Sequence, residues 1–197
     1  MSKTYLTLAT FFSVLTIAIL IAVLGPGAAY LTAQEHAGHP AVEAPAPALD
    51  DATIVAIFDN ANTVDIETGK LAAQRGHSNE VRQFGAMLAR DHEMVRQQGR
   101  NLAKKLGVTP TPPAGDQNAR DQAEVIRRLS ALHGPEFDRA FLEREVTFHR
   151  DVIAAINSTL LPAIKNEELR ALVVKVAPAF QAHLDMAQNL GKRLATK

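Results

Sequence analysis

The chain has 197 residues, which leaves room for one domain of ordinary size once an apolar leader is set aside. It carries 21 basic and 21 acidic residues, and this balance argues against electrostatic attraction to nucleic acid. The sequence contains no cysteine, which excludes disulfides, thiolate zinc sites, iron–sulfur clusters and thiol nucleophiles. His, Asp and Glu therefore remain as the strong candidates for metal ligands.

The first 33 residues have the features of an export segment. After Lys3, an uncharged and mostly apolar run covers residues 5–24 and ends at Gly25. This run is close to the roughly 20 residues that span a bilayer, and it is longer than the roughly 7–15 residues of a signal-peptide core. Small residues before Gln34 also suit a signal peptidase, so residues 1–33 are predicted to be a signal peptide or a signal anchor. Because Lys3 precedes the run, the rest of the chain is predicted to lie in the periplasm or cell envelope, held at the inner membrane if the segment is not cleaved.

Residues 34–50 are rich in Ala and Pro and are predicted to form a tether. His36 and His39 lie in this tether and could bind a metal, although such a pair in a flexible linker is usually incidental. The remaining part, residues 51–193, is predicted to be a single helical domain.

Four long amphipathic helices are predicted in this domain from apolar periodicity and from capping residues. Helix A covers about 51–75, helix B ends after residue 106, helix C runs from Gly134 to about residue 160 where Pro162 closes it, and helix D begins at Asn166. Pro178 is expected to bend helix D. The A–B and C–D links are short, whereas the B–C connection is long and contains an extra helix at about 117–132. This connectivity predicts an all-α, ferritin-like four-helix bundle with one long crossover.

Each predicted helix interrupts its apolar stripe with a side chain that can bind a metal. The steps of three and four residues that define the inner face bring up six such residues: Asp65, Asp91, His92, Glu145, His149 and His183. Folding A against B, and C against D, brings the groups of each hairpin to a similar depth, whereas the relative height of the two hairpins depends on the crossover. Buried charges cost several kcal/mol unless they are paired, hydrogen-bonded or bound to a metal.

Three interpretations of these six residues are open. The first is a His–carboxylate network that fixes helix register in a non-enzymatic structural or stress-related envelope module, or side chains that only flank the apolar stripe and reach solvent. The second is a metal site, and since the Glu-x-x-His motif of di-iron bundles is absent, one zinc, copper or iron ion fits better than a ferroxidase pair. The third is catalysis at such a site, but the sequence identifies no catalytic group, no organic cofactor and no protein partner, so it leans against an enzyme.

The sequence also resembles a known bacterial family. The stretches "ANTVDIETGKLAAQRGHSNEVRQFGAMLARDHEMV", "LHGPEFDRAFLEREVTFH" and "VAPAFQAHL" are similar, in order and spacing, to the family called domain of unknown function 4142. The resemblance covers about residues 54–190 and rests on these positions: Gly69 to Ala72, Asp91-His92, Gly134 with Phe137-Asp138, His149, and Pro178 with His183. It implies a ferritin-like exported domain, often labelled an outer membrane protein, and implies no reaction. Many members carry Glu where this chain has Asp65, whose side chain is shorter.

Overall fold

The computed structural model describes residues 49–196. The predicted export segment and almost all of the predicted tether, including His36 and His39, lie outside the described residues. Across residues 49–196, no helix is both long and apolar enough to cross a membrane.

The described chain is an all-α bundle of ferritin-like type, as the sequence predicts. Between residues 49 and 196 it forms no β-strand. Its elements are α1 (Asp51–Arg75), α2 (Asn79–Leu106), α3 (Asn118–Ser130), α4 (Gly134–Ala155), a π-helical turn (Ile156–Leu160), α5 (Leu161–Ala163) and α6 (Glu167–Ala195). Helix α1 packs along α2, and α4 packs along α6. The two hairpins meet where α2 contacts α6 and where α1 contacts α4, with α3 inside the crossover.

The α1–α2 hairpin is held together by an unusually close approach of two backbones. A Cβ atom added to Gly85 of α2 would lie 2.6 Å from the carbonyl oxygen of Gly69 in α1, and one added to Gly69 would lie 2.7 Å from the carbonyl oxygen of Gly85. Real Cβ atoms do not approach backbone so closely, so glycine is required at both positions. The turn itself is short because Ser78 caps α2 by accepting from the amide of Val81 at 3.1 Å.

The α4–α6 hairpin differs from the prediction at one end. Helix C was predicted to close at Pro162, but the chain stays helical through the π-turn and α5 as far as Ala163. Pro162 lies within this continuous helical stretch, one residue before its end at Ala163. Asn166 then caps α6 by accepting from the amides of Glu168 and Leu169, as predicted. Helix α6 continues through Pro178 to Ala195.

Two carboxylates, one from each hairpin, accept hydrogen bonds from the turn of the other hairpin. Asp138 of α4 accepts from the backbone amides of His77 and Ser78, at 2.7 and 2.8 Å, in the α1–α2 turn. Asp51 of α1 accepts from the amides of Lys165 and Asn166, at 2.9 and 3.0 Å, before α6. Charge-assisted bonds of this kind are stronger than neutral ones, so they help to fix the height of one hairpin against the other.

A cluster of apolar side chains fills the bundle next to the polar inner-face residues. It includes Leu88, Phe141 and Ala187, all of which are buried. These three lie one helical turn from His92, Glu145 and His183 respectively. The apolar core therefore abuts a polar layer to which α2, α4 and α6 each contribute at the same depth.

Candidate metal centre

Three imidazoles meet in the polar layer, one from each of three helices. His92 (α2), His149 (α4) and His183 (α6) are all buried, and their ring centroids lie 5.1–5.7 Å apart. Each ring offers a nitrogen such that the three nitrogens lie within 4.8 Å of one another. The rings of His92 and His149 contact the Phe180 ring, whose centroid lies 5.2 Å from that of His92 and 6.1 Å from that of His149. The bundle thus supplies three nitrogen ligands in a site walled on one side by an aromatic ring.

The carboxylate of Asp65 adds an oxygen from α1. Its Oδ2 atom lies 3.2 Å from Nε2 of His92 and 3.6 Å from Nε2 of His149. Two donors bound to one zinc-like ion at about 2.1 Å, with a tetrahedral angle between them, are themselves about 3.4 Å apart. The two distances from Oδ2 of Asp65 are therefore close to the spacing of ligands around a single ion.

Asn62 sets the tautomer of His92. The Asn62 side-chain nitrogen donates to the carbonyl oxygen of Phe58 at 2.8 Å, which leaves the amide oxygen facing Nδ1 of His92 at 2.9 Å. Because that oxygen can only accept, the His92 proton is on Nδ1. In the neutral ring Nε2 then carries a lone pair, and this lone pair faces the carboxylate of Asp65.

His149 is oriented like His92, with Nδ1 engaged and Nε2 facing the site, but by a residue of its own helix. Its Nδ1 atom lies 3.0 Å from the carbonyl oxygen of Glu145 and 3.4 Å from Oε2 of the same residue. Both oxygens are acceptors when the carboxylate is ionised, so Nδ1 carries the proton and Nε2 carries the lone pair. Two imidazole lone pairs and a carboxylate oxygen therefore point at one another, which is unfavourable unless a cation lies between them.

His183 is held by Asp91, which lies at the edge of the site. Nε2 of His183 lies 3.3 Å from Oδ2 of Asp91, and Nδ1 of His183 is buried. The other oxygen of Asp91 is bound by Arg90 at 2.8 Å, and the Asp91 side chain is 25% exposed. Asp91 is thus placed to orient the imidazole, and Nδ1 is left to face the interior.

A single pattern unites these four residues. One polar atom of each has no hydrogen-bond partner among residues 49–196, although it is buried: Asp65 Oδ2, His92 Nε2, His149 Nε2 and His183 Nδ1. The other polar atom of each is engaged, by Arg144, Asn62, the Glu145 carbonyl and Asp91 in turn. Imidazoles that bind metals usually donate their second N–H to a carbonyl or a carboxylate. The outer atoms of these four side chains therefore make the contacts that are typical of metal ligands. Their inner atoms have no hydrogen-bond partner in the described chain.

Glu145 and Arg144 form the wall of the site next to Asp65. Nη1 of Arg144 lies 2.8 Å from Oδ1 of Asp65 and 2.6 Å from Oε1 of Glu145. Burial raises the pKa of Glu145, although the Arg144 guanidinium opposes this effect. Asp65, Glu145 and His149 each offer one ligand atom within 4.8 Å of the others, which makes a second group that shares His149 with the first.

The imidazoles of His92 and His183 are available as neutral ligands at physiological pH. Burial, assisted by the neighbouring rings of His149 and His183, lowers the pKa of His92 from 6.5 to about 3. Burial also lowers the pKa of His183. A metal binds the unprotonated ring, so these shifts favour binding at neutral pH.

Acidification is expected to destabilise the metal-free protein through His92. Between about pH 6.5 and pH 3 the unfolded chain protonates this residue while the folded chain does not, so the unfolded state binds more protons. The free energy of unfolding should therefore fall as the pH drops through this window, with His92 contributing up to about 1.4 kcal/mol per pH unit. Urea unfolding in EDTA between pH 4 and pH 7 measures the slope.

The variant His92→Gln should flatten that slope, whereas the matched variant His77→Gln, at an exposed position, should leave it unchanged. Glu145 acts in the opposite sense, since a carboxyl whose folded pKa is raised stabilises below its unfolded pKa and loses that contribution as the pH rises. The contribution of Glu145 to the pH dependence of the free energy of unfolding is the same in the wild type and in the His77 variant. Equal slopes for the wild type and His92→Gln would show that the buried imidazole is not the acid-sensitive group.

The structure brings five of the six predicted residues into the buried layer and places the sixth, Asp91, at its edge. That these residues bind a metal stays a prediction. Sequence reasoning missed Asn62 and Arg144. Asn62 follows Phe58 by one turn and was detectable by the same periodicity, whereas Arg144 flanks the stripe and reaches inward with a long side chain.

The fold is similar to two solved structures. One is a DUF305 fragment from Deinococcus radiodurans, with a TM-score of 0.63, 16% identity, and coverage of 72% of this chain and 95% of that chain. The other is CopM in the Cu(II)-bound form, with a TM-score of 0.55, 15% identity, and coverage of 74% and 98%. At these identities the likeness concerns the fold.

The family is shown by the sequence itself. No curated protein matches the chain. The family model for a domain of unknown function (DUF4142) matches residues 34–190. The chain therefore belongs to this family, which confirms the resemblance found in the sequence.

Proposed function

We propose that this member of the DUF4142 family binds one transition-metal ion inside its bundle, through Asp65, His92, His149 and His183. The observation that carries the proposal is the set of four buried polar atoms without partners, each on a side chain whose other polar atom is already engaged. In the metal-free state the lone pairs of His92 and His149 face the Asp65 carboxylate. A divalent cation among them removes that conflict and satisfies all four atoms at once.

The ligand set favours copper or zinc. Three imidazole nitrogens and one carboxylate oxygen suit zinc, copper or iron, and among divalent ions of this series copper binds most tightly to a given site. The similar fold of CopM, whose structure contains Cu(II), supports copper as the first ion to test. With the imidazoles held by buried contacts on separate helices, little rearrangement is needed for binding.

Metal binding is tested by counting the ions on the full chain. His36 and His39 offer a competing pair of ligands, so the background for all proteins is the variant with both changed to Ala. After equilibration with Cu(II) or Zn(II) and removal of excess, elemental analysis is expected to find one ion per chain. His183→Ala should reduce occupancy sharply, and His77→Ala, which removes an exposed imidazole, should not.

A result of no bound ion in the background protein would favour the structural alternative. One observation supports that alternative: Arg144 of α4 pairs with Asp65 of α1, so the polar layer also links the two hairpins. In that case the inner polar residues fix helix register in a non-enzymatic envelope module, and the same substitutions destabilise the fold by about 1–3 kcal/mol whether or not metal is present.

The proposed site of action is outside the cytoplasm. The support is the apolar run of residues 5–24 preceded by Lys3. Fractionation of the native host should find the protein in the periplasmic or membrane fraction, and N-terminal sequencing should begin near Gln34 if the segment is cleaved. A cytoplasmic soluble pool with an intact N-terminus would contradict export.

A further inference from the structure

The guanidinium of Arg144 lies between two buried carboxylates. Nη1 bridges Asp65 Oδ1 and Glu145 Oε1, and the Arg144 side chain is 12% exposed. Its Cζ atom lies 4.3 Å from the centre of the Phe148 ring, a cation–π contact that holds the group in place. The inner wall of the proposed metal site is therefore a fixed positive charge supplied by the chain.

The two oxygens of Asp65 face different partners. Oδ2 faces the imidazoles of His92 and His149, and Oδ1 faces Arg144. Asp65 thus lies between the Arg144 cation and the position proposed for the first metal ion, as a carboxylate lies between two cations in two-metal sites. The ions of such sites are about 3.5–4 Å apart. On the Arg144 side, Oε2 of Glu145 is buried and has no hydrogen-bond partner in the described chain, so Oδ1 of Asp65 and the Glu145 carboxylate are the ligands available to a second cation.

We propose that Arg144 occupies the second position of what is geometrically a two-cation site, and that it limits the protein to one metal ion. The inference rests on the proposed function for the first ion. Arginine stays protonated at any physiological pH, so the internal charge neither leaves nor binds a metal. Reactions that need two adjacent metal ions are consequently outside the reach of the wild-type site.

The test is to remove the guanidinium and count ions. Arg144→Ala should bind two Co(II) or Zn(II) ions per chain, one more than the wild type, because Asp65 and Glu145 then need a cation. Arg144→Lys, which keeps the charge, should still bind one fewer ion than the Ala variant. Arg150→Ala removes an exposed arginine of the same helix and should match the wild type. All proteins carry the His36→Ala and His39→Ala background.

The four results of the count separate this inference from the proposed function. One ion in the wild type and two in Arg144→Ala support both. No ion in the wild type and one in Arg144→Ala overturn the proposed function and, with it, the inference, which requires an ion in the first position of the wild type. One and one leave the proposed function intact and overturn the inference, and none and none overturn both. Arg144→Gln gives a second neutral variant; if neither variant folds even with excess metal, the inference is overturned, since a second ion should neutralise the same two carboxylates.

Discussion

Zn(II) at about 100 times its dissociation constant is expected to raise the melting temperature of the protein by about 8–11 °C. A ligand that binds the folded chain stabilises it by about 2.7 kcal/mol at that excess, and about 1 kcal/mol corresponds to roughly 3–4 °C for a domain of this size. Asp65 is already at ligand spacing from His92 and from His149, so little of the binding energy is spent on reorganising these residues. Thermal unfolding followed by far-UV circular dichroism, with EDTA and with Zn(II), measures the shift.

His149→Ala should abolish this shift, and His77→Ala should preserve it. Each variant is compared with itself in EDTA and in Zn(II), so that the packing lost with the buried His149 ring cancels. His36 and His39 are changed to Ala throughout, so that a metal bound by this pair does not contribute to the measurement. An equal shift in the His149 variant and the control would place the metal elsewhere on the chain.

Gly85→Ala is expected to destabilise the protein by about 3 kcal/mol or more. The added methyl group would lie 2.6 Å from the carbonyl oxygen of Gly69 and 2.7 Å from both the Ala72 Cβ and the Ala73 amide nitrogen. Two of these contacts are backbone atoms, which cannot move without separating α1 from α2. Urea unfolding of the metal-free protein measures the loss.

Gly191→Ala is the matched control, because it makes the same chemical change inside α6 where nothing lies within 4 Å of the new methyl group. There it should stabilise by about 0.5–1 kcal/mol, since alanine favours the helix over glycine. The Gly85 variant should also bind metal more weakly, because α1 carries Asp65 and α2 carries His92. Changes of the same sign and size at the two glycines would contradict the close helix approach.

The extent of each helix could be predicted because its signals are local. Ser78 and Asn166 satisfy amides within their own first turns, and Gly107 ends α2 in a left-handed conformation, with φ of 65°. Such contacts span a few residues and are visible in the sequence. Pro162 was predicted to close helix C, and the helical stretch ends one residue later, at Ala163.

The inward direction of the six polar residues was likewise predictable, because side chains three and four residues apart share a face of a helix. Asp91 shows the limit of that rule. It follows the stripe of α2 but lies at its edge, where Arg90 and His183 bind its two oxygens. Periodicity gives the direction of a side chain about the helix axis only to within about one residue position. At the edge of an apolar stripe, an error of that size decides whether a side chain is a ligand or only orients one.

By itself the sequence determined the four long helices, their connectivity and the presence of acids and imidazoles on their inner faces. The tertiary structure alone decided that His92, His149 and His183 lie at one depth, because the height of one hairpin against the other depends on contacts such as those of Asp51 and Asp138 with distant amides. It also decided which nitrogen of each ring faces inward. The orientation of each ring depends on hydrogen-bond partners from other turns and helices. The ring's tautomer follows from those contacts, which cannot be read from the spacing of residues along the chain.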